Sequence, residues 1–173
     1  MRKNYVLAGG ILVLTVLFSA CATVDYSLDT AKESPFYGKI DKRQAAEIVM
    51  KQASPSGSQA DSGTFMADAV GMSFRKTEKK KRTETRNNKP VQVEYQEVIT
   101  RNVPWEAVLE IRPRHSDYGS LGLVYVINLV YRFTTLDTYG RHQETAAIDF
   151  YCSNSRERFV NVLAALRTLI QSR

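Results

Sequence analysis

Large apolar residues alternate with polar ones through the second half of the chain, which predicts β-strands with one buried face. The clearest strand is predicted over 121–134, where six such residues share one side: Leu123, Tyr125, Ile127, Leu129, Tyr131 and Phe133. A turn containing Gly140 follows, and a return strand then carries four more apolar residues on alternate positions: Ala146, Ile148, Phe150 and Cys152. The pattern indicates an antiparallel hairpin packed against a core.

Weaker alternation predicts further strands upstream, over 64–67, 72–75, 91–101 and 107–112. The first two flank a turn that ends at Gly71, and the charged segment 76–88 is predicted as the loop of an early hairpin. On the strand 91–101, one side carries Val91, Val93, Tyr95 and Ile99. Trp105, the sole tryptophan, is predicted to be a core aromatic, with a ligand surface as the alternative.

Two segments have helical periodicity. Over 41–52, Asp41 and Gln44 have the spacing of a capping box, and Ala45, Ile48 and Val49 form one apolar stripe that predicts docking on the main domain. After Ser153 or Ser155, an amphipathic helix is predicted from the spacing of Phe159, Val162, Leu163, Leu166, Leu169 and Ile170. The expected fold is α+β: an antiparallel β-barrel or strongly bent sheet, closed by a C-terminal amphipathic helix and preceded by a short helix.

Two segments lack periodicity. The stretch 22–40 is polar and contains Pro35 and Gly38, which predicts a tether, and 53–63 consists of small polar residues typical of a flexible linker. The expected organisation is a signal peptide over 1–20, a lipidated tether over 21–40, a short helix and linker over 41–63, and a globular domain over 64–173.

Three groups of residues between Thr64 and Ile170 resemble the pleckstrin-homology-like domains of bacterial proteins. They are Thr64-Phe65 before a turn ending in Gly71-Met72, the phrase Val103-Pro104-Trp105-Glu106-Ala107-Val108, and Phe150 with Ser153 before a helix carrying Phe159, Leu163 and Leu166. The resemblance implies a scaffold that docks lipids, peptides or proteins, with sites placed differently from one member to the next. Another antiparallel α+β domain with a covering helix is the alternative.

The N-terminus has the layout of a secretory signal peptide. Arg2 and Lys3 precede an uncharged, mostly apolar stretch over 5–18. Its end, Leu17-Phe18-Ser19-Ala20-Cys21, resembles the lipobox of bacterial lipoproteins, from which Phe18 departs because an aliphatic residue usually stands there. The resemblance implies that Cys21 is lipidated and becomes the first mature residue, and Ala22 after it implies the outer membrane, facing the periplasm. An ordinary cleaved signal peptide or an uncleaved anchor is the alternative.

Charge adds one candidate site. The chain has 24 Lys and Arg against 18 Asp and Glu, a net charge of +6, and loss of Arg2 and Lys3 would leave +4, which is not typical of nucleic-acid binding. The densest run of cations comprises Arg75, Lys76, Lys79, Lys80, Lys81, Arg82 and Arg86, with Lys89 beyond it. Such a run predicts binding of an anionic lipid or glycan. The alternative is a solvated, mobile hairpin tip partly neutralised by Glu78 and Glu84.

Catalytic chemistry has little support. His115 and His142, the only histidines, are predicted as solvated loop residues, and no spacing of ligands predicts a metal or cofactor. A hydrolase using His142 with Asp137 or Asp149 stays open as the third hypothesis, and Cys152 is predicted to be a buried small hydrophobe.

These observations favour a membrane-anchored, non-catalytic binding or assembly module with an envelope protein as partner. The alternative is a lipoprotein that binds an anionic or small ligand, either through the basic loop or in a pocket between the sheet and the final helix.

Labelling with radioactive palmitate in the native host tests the anchor. We expect label in the wild-type chain and none in Cys21→Ala, because the cysteine sulfur carries the acyl groups. Each buried methylene contributes about 0.8 kcal/mol to membrane binding, so the labelled chain should also fractionate with membranes. A wild-type chain without label would contradict the prediction.

Overall fold

The computed structural model describes residues 23–117, 122–137 and 140–171. This part contains two α-helices, α1 (Lys42–Gln52) and α2 (Arg156–Ile170), and short 3₁₀ helices at Leu28–Glu33 and Trp105–Ala107. Its strands are β1 (Thr23–Asp25), β2 (Ser54–Pro55), β3 (Met66–Ala67), β4 (Gly71–Arg86), β5 (Lys89–Pro104), β6 (Val108–Asp117), β7 (Leu123–Asp137) and β8 (Gly140–Tyr151). The fold is α+β with antiparallel pairing, as predicted.

The strands form two separate sheets. One has the order β1-β6-β7-β8-β2 and the other the order β3-β4-β5. The sheets are not closed into the barrel that was one of the expected forms. On β4, Met72 and Phe74 are the last fully buried side chains. Beyond them β4 and β5 pair only with each other, and neither pairs with a strand of the five-stranded sheet.

The hairpin β7–β8 supplies the core face of the larger sheet, as the alternation predicts. Tyr125, Ile127, Leu129 and Tyr131 are buried, and Ile148 and Phe150 face the same side from β8 because they lie opposite Leu129 and Ile127. Trp105 is also a core residue: its ring is 2% exposed, and its Nε1 donates to the Asp68 carbonyl at 2.8 Å. The core interpretation of Trp105 is confirmed.

Helix α2 lies in the interior of the molecule. Ser155 caps it by accepting a hydrogen bond from the Arg158 amide at 3.2 Å. The predicted amphipathic face is buried, and so are residues on its other sides, including Val160, Ala164 and Ala165. One side of α2 packs on β7, while α1 and the first 3₁₀ helix pack on other parts of it. The helix is therefore a central element of the core, where we expected one that covers an open sheet.

Helix α1 forms as its sequence predicts. Asp41 accepts a hydrogen bond from the Gln44 amide at 2.8 Å, and the Gln44 side chain accepts from the Asp41 amide at 3.1 Å, which completes the capping box. Ala45 and Val49 are fully buried against the core, so the predicted docking is confirmed.

The stretch predicted as a tether over 21–40 is packed on the domain from Thr23 onward. β1 adds an edge strand to β6, with Val24 opposite His115, and Ala31 in the following 3₁₀ helix is 0% exposed. Polar composition suggested a solvated chain, but here the polar groups make tertiary bonds. Arg156, for example, holds Glu33 through two contacts of 2.8 Å.

The segment 53–63 also differs from the flexible linker we predicted. β2 pairs with the end of β8. Beyond it, the Gln59 side chain accepts a hydrogen bond from the Asp149 amide at 2.6 Å, and the Ser56 amide donates to the Asp149 carbonyl at 2.9 Å. Ala60 is 1% exposed. Small residues, which predicted a linker, also let a chain lie close against a sheet edge.

The buried pair Ser34 and Asn161 joins the N-terminal segment to α2. Ser34 donates to Asn161 Oδ1 at 2.7 Å, and the two residues are 5% and 3% exposed. Asn161→Ala leaves the Ser34 hydroxyl without this acceptor, so we expect a loss of about 1–3 kcal/mol in the free energy of unfolding. Urea unfolding followed by Trp105 fluorescence measures it.

The matched control is Asn154→Ala, because Asn154 is exposed just before the helix. Its effect should stay within about 0.5 kcal/mol. Equal unfolding midpoints for the two variants would contradict the structural role of Asn161.

Candidate functional site

The predicted basic loop is in fact a strand. All seven cations, from Arg75 to Arg86, lie on β4, which pairs with β5 without interruption from Gly71 opposite Pro104 to Arg86 opposite Lys89. Asn87 and Asn88 form the connecting turn with φ of 51° and 57°, the left-handed conformation that a two-residue type I′ turn needs. Charge density suggested a loop, whereas the threonines and valines of this hairpin favour strands.

We call residues 75–101 the basic arm. Its side chains are exposed or half-buried throughout, in contrast to Phe74 just before it, which is 3% exposed. At about 3.3 Å per residue, the twelve residues from Arg75 to Arg86 extend roughly 40 Å. The arm therefore projects well beyond the core.

The base of the arm is held by specific contacts. The Arg75 carbonyl accepts a hydrogen bond from the Asp61 amide at 2.7 Å, and Thr77 donates to the Asp61 carboxylate at 2.6 Å. The bond from Thr77 lowers the pKa of the Asp61 carboxyl. On β5, the Arg101 guanidinium lies 4.1 Å from the centre of the Phe133 ring. These contacts fix where the arm leaves the domain.

The cations divide between the two faces of the arm, because residues opposite each other share a face. Lys76, Lys80, Arg82 and Arg86 lie opposite Ile99, Tyr95, Val93 and Lys89, which makes one face both apolar and basic. The other face carries Arg75, Lys79 and Lys81, opposite Thr100, Gln96 and Glu94. The structure thus brings four of the predicted site residues together and places the other three on the reverse side.

Four cations have carboxylate partners within the arm. Lys80 pairs with Glu97, and Lys81 pairs with Glu94 at 3.1 Å. Glu84 forms ion pairs with both Arg82 and Arg86, at 2.6 and 3.1 Å. Hydrogen bonding to Glu97 raises the pKa of Lys80, and the two arginines lower the pKa of Glu84. Exposed pairs of this kind contribute about 0–1 kcal/mol each, so they compete weakly with an anionic ligand.

Charge is concentrated in the arm. Residues 75–101 contain nine Lys and Arg against four Glu, a net charge of +5 out of +6 for the whole chain. The rest of the stretch 22–173 contains 13 Lys and Arg against 14 Asp and Glu, a net charge of −1. A positive element on a nearly neutral body directs anions to that element. The composition of the whole chain hides this asymmetry.

The histidines lie in strands and not in loops as predicted, although His142 is exposed as expected. His115 on β6 shares a 2.7 Å hydrogen bond between its Nδ1 and the Tyr26 hydroxyl. His142 on β8 has its Nε2 at 2.9 Å from Glu144. Asp149 stands seven residues along the same strand from His142, about 23 Å away, so these two side chains cannot act together. Within the described residues, no group of three metal-ligating side chains occurs.

The space between α2 and the larger sheet is filled. Phe159, Leu163 and Leu166 of the helix, and Ile127 and Leu129 of the sheet, have 0% exposure, so no water-sized cavity separates them. The grooves of the molecule open on its surface. The one at the base of the arm has a volume of about 460 Å³ and is lined by Arg101, Arg132 and Phe133 among others. The internal pocket that we weighed for a small ligand is therefore not formed there.

None of the protein-family models, curated proteins or solved structures compared with the chain matches it. The predicted signal peptide over 1–20 and Cys21 lie outside the described residues. In the part that is described, neither helix is long and apolar enough to cross a membrane.

Cys152 is a buried side chain, as predicted, with 1% exposure. Burial raises the pKa of its thiol to about 12. We therefore expect no alkylation of Cys152 by iodoacetamide at pH 8 in the folded chain, and full alkylation in urea, measured by mass spectrometry of the peptide that contains it. Equal labelling in both conditions would contradict this.

Proposed function

We propose that the chain is an envelope lipoprotein, held by lipid on Cys21 in the outer membrane and facing the periplasm, that acts as a non-catalytic binding module. Its docking element is the basic arm, and its partner carries anionic groups. The observation that carries the proposal is the separation of charge, +5 on residues 75–101 against −1 on the rest of 22–173.

The order of elements supports a pleckstrin-homology-like fold for this module. After β1 and β2, which are edge strands of the larger sheet, the chain forms the antiparallel sheet of β3, β4 and β5, then β6, β7 and β8 of the larger sheet, and α2 closes the described part. Domains of this kind present loops and edges for docking and are not built around one catalytic centre.

The start of β1 sets the distance from the proposed anchor. β1 begins at Thr23, two residues after Cys21. An extended chain covers at most about 3.6 Å per residue, so the domain lies within about 7 Å of the lipidated residue. The module is therefore held close to its membrane, without the long tether that the sequence predicted.

The arm suits an anionic lipid surface. Each Lys or Arg near such a surface contributes about 1 kcal/mol. The face with Lys76, Lys80 and Arg82 also carries Val93, Tyr95 and Ile99. Tyr95 is 38% exposed. Aromatic and aliphatic side chains beside cations are favoured at the boundary between lipid headgroups and acyl chains.

Vesicle co-sedimentation tests the proposal with the chain from Ala22 onward. We expect binding to vesicles of phosphatidylglycerol and phosphatidylcholine but not to phosphatidylcholine alone. Removing four arm cations at about 1 kcal/mol each should weaken binding by on the order of 100-fold or more. The variant carries Lys76→Gln, Lys80→Gln, Arg82→Gln and Arg86→Gln, the four cations on the face that also carries Val93, Tyr95 and Ile99.

A control with the same change of charge on the body separates the arm from general attraction. Its four substitutions are at exposed positions, Lys39→Gln, Lys42→Gln, Arg43→Gln and Lys51→Gln. We expect near wild-type binding for this control. Equal losses in both variants, or no wild-type binding to anionic vesicles, would refute the arm as the docking element.

A further inference from the structure

The outer edge of β5 has unpaired backbone groups. β5 is the last strand of the three-stranded sheet, so in the described part of the chain no strand pairs with its outer side. The backbone groups of Arg75 point away from β5, because its carbonyl accepts a hydrogen bond from the Asp61 amide and its amide donates to Thr64 Oγ1 at 3.1 Å. Opposite residues in an antiparallel pair direct their backbone groups either toward each other or both away, and the two cases alternate along the strands. Arg75 lies opposite Thr100, so the residues of β5 whose backbone groups point outward are Gln92, Glu94, Gln96, Val98 and Thr100.

The two edges of the arm differ in charge. β4 carries seven cations between Arg75 and Arg86, and lysine on an edge strand is a common protection against unwanted pairing. From Val91 to Thr100, β5 has no cation, and its two charged residues, Glu94 and Glu97, are both paired with lysines of β4. The same stretch is rich in β-branched residues and contains no glycine or proline. The β4 edge of the arm is therefore protected against pairing with another strand, whereas the β5 edge is open to it.

We propose that the open edge of β5 pairs with β5 of a second copy of this chain, antiparallel about a two-fold axis at Gln96. This register places Glu94 opposite Val98, Tyr95 opposite Glu97, and Val93 opposite Ile99 of the other copy. Farther from the two-fold axis, Gln92 lies opposite Thr100 and Val91 lies opposite Arg101 of the other copy. No like charges lie opposite each other, and Val93 and Ile99 form an apolar cross-strand pair of the kind that stabilises sheets.

The charge pattern is what favours a second copy. Over the length of the two arms the resulting sheet has four strands, with the two β5 strands central and the two basic β4 strands outermost. These β4 strands are three strand spacings apart, about 14 Å. That distance exceeds the Debye length of about 8 Å at physiological salt, so their charges repel each other weakly. The protected β4 edges also stop further strands from adding, which closes the assembly at two.

An antiparallel register puts the tip of each arm near the base of the other, with the two domains at opposite ends. The inference concerns the strand edge alone and holds whether or not Cys21 is lipidated or the arm binds anionic lipid.

Disulfide trapping in the full chain tests the register. Opposite residues of a hydrogen-bonded antiparallel pair have Cα atoms about 5.5 Å apart, within disulfide reach, so Gln96→Cys should form a covalent dimer on mild oxidation. Gln92→Cys is the register control, because its counterpart would lie about 27 Å away along the strands. Thr83→Cys, on the β4 edge, is the edge control. Buried Cys152 has a pKa of about 12 and stays inert, and the wild-type chain gives the background.

We expect about tenfold more dimer on a non-reducing gel from Gln96→Cys than from either control. Equal dimer from Thr83→Cys, or none from Gln96→Cys, would overturn the proposal.

A second pair of variants tests the oligomeric state without oxidation, from the molar mass of each chain in solution. Gln96→Pro removes an outward amide of β5 and should yield monomer, whereas Thr83→Pro removes an outward amide of β4 and should leave the dimer intact. A dimer that survives Gln96→Pro, or a wild-type monomer at about 100 μM, would equally refute it.

Discussion

Burial of α2 on nearly every side is the constraint on which the rest of the structure depends. Of its fifteen residues, nine are buried, from Phe159 to Leu169. A sheet can cover only one side of a helix, so the remaining apolar surface needs another layer. The N-terminal segment supplies it, with α1 and the first 3₁₀ helix on α2. The chain between Thr23 and Gln52 therefore contributes buried residues to the core, among them Ala31, Ala45 and Val49. The hydrogen bond of Ser34 to Asn161 helps to fix its position.

This arrangement explains why the basic arm projects. The core already contains α1, α2 and the larger sheet, so the smaller sheet contributes only the start of β4 and the end of β5, including Met72, Phe74 and Val103. The remaining residues of the hairpin have no core to join. A two-stranded hairpin alone is marginally stable in water. Contacts at its base with Asp61 and Phe133, and its cross-strand ion pairs, support it, and added strands would support it further.

Sequence periodicity predicted the parts of the fold that have one buried face. The hairpin β7–β8, the capping box of α1 and the extent of α2 all followed from it. Periodicity did not predict β1, β2 or most of β4, where apolar and polar residues do not alternate. β1 and β2 are held by backbone pairing, and β4 is a strand because β5 pairs with it. The seven cations predicted as a site all lie on β4, but their division between two faces could not be predicted, since it depends on treating 76–88 as a strand.

That division bears on what the cations do. A flat anionic surface can contact only one face of a two-stranded arm, so the seven cations cannot all bind it at once. Lys76, Lys80 and Arg82 share their face with apolar side chains, which suits a lipid boundary. Arg75, Lys79 and Lys81 lie on the reverse face, where protection of the β4 edge is a sufficient physical reason for their charge. If both proposals hold, neutralising the first three should weaken vesicle binding, and neutralising the other three should allow extra chains to add at the β4 edge.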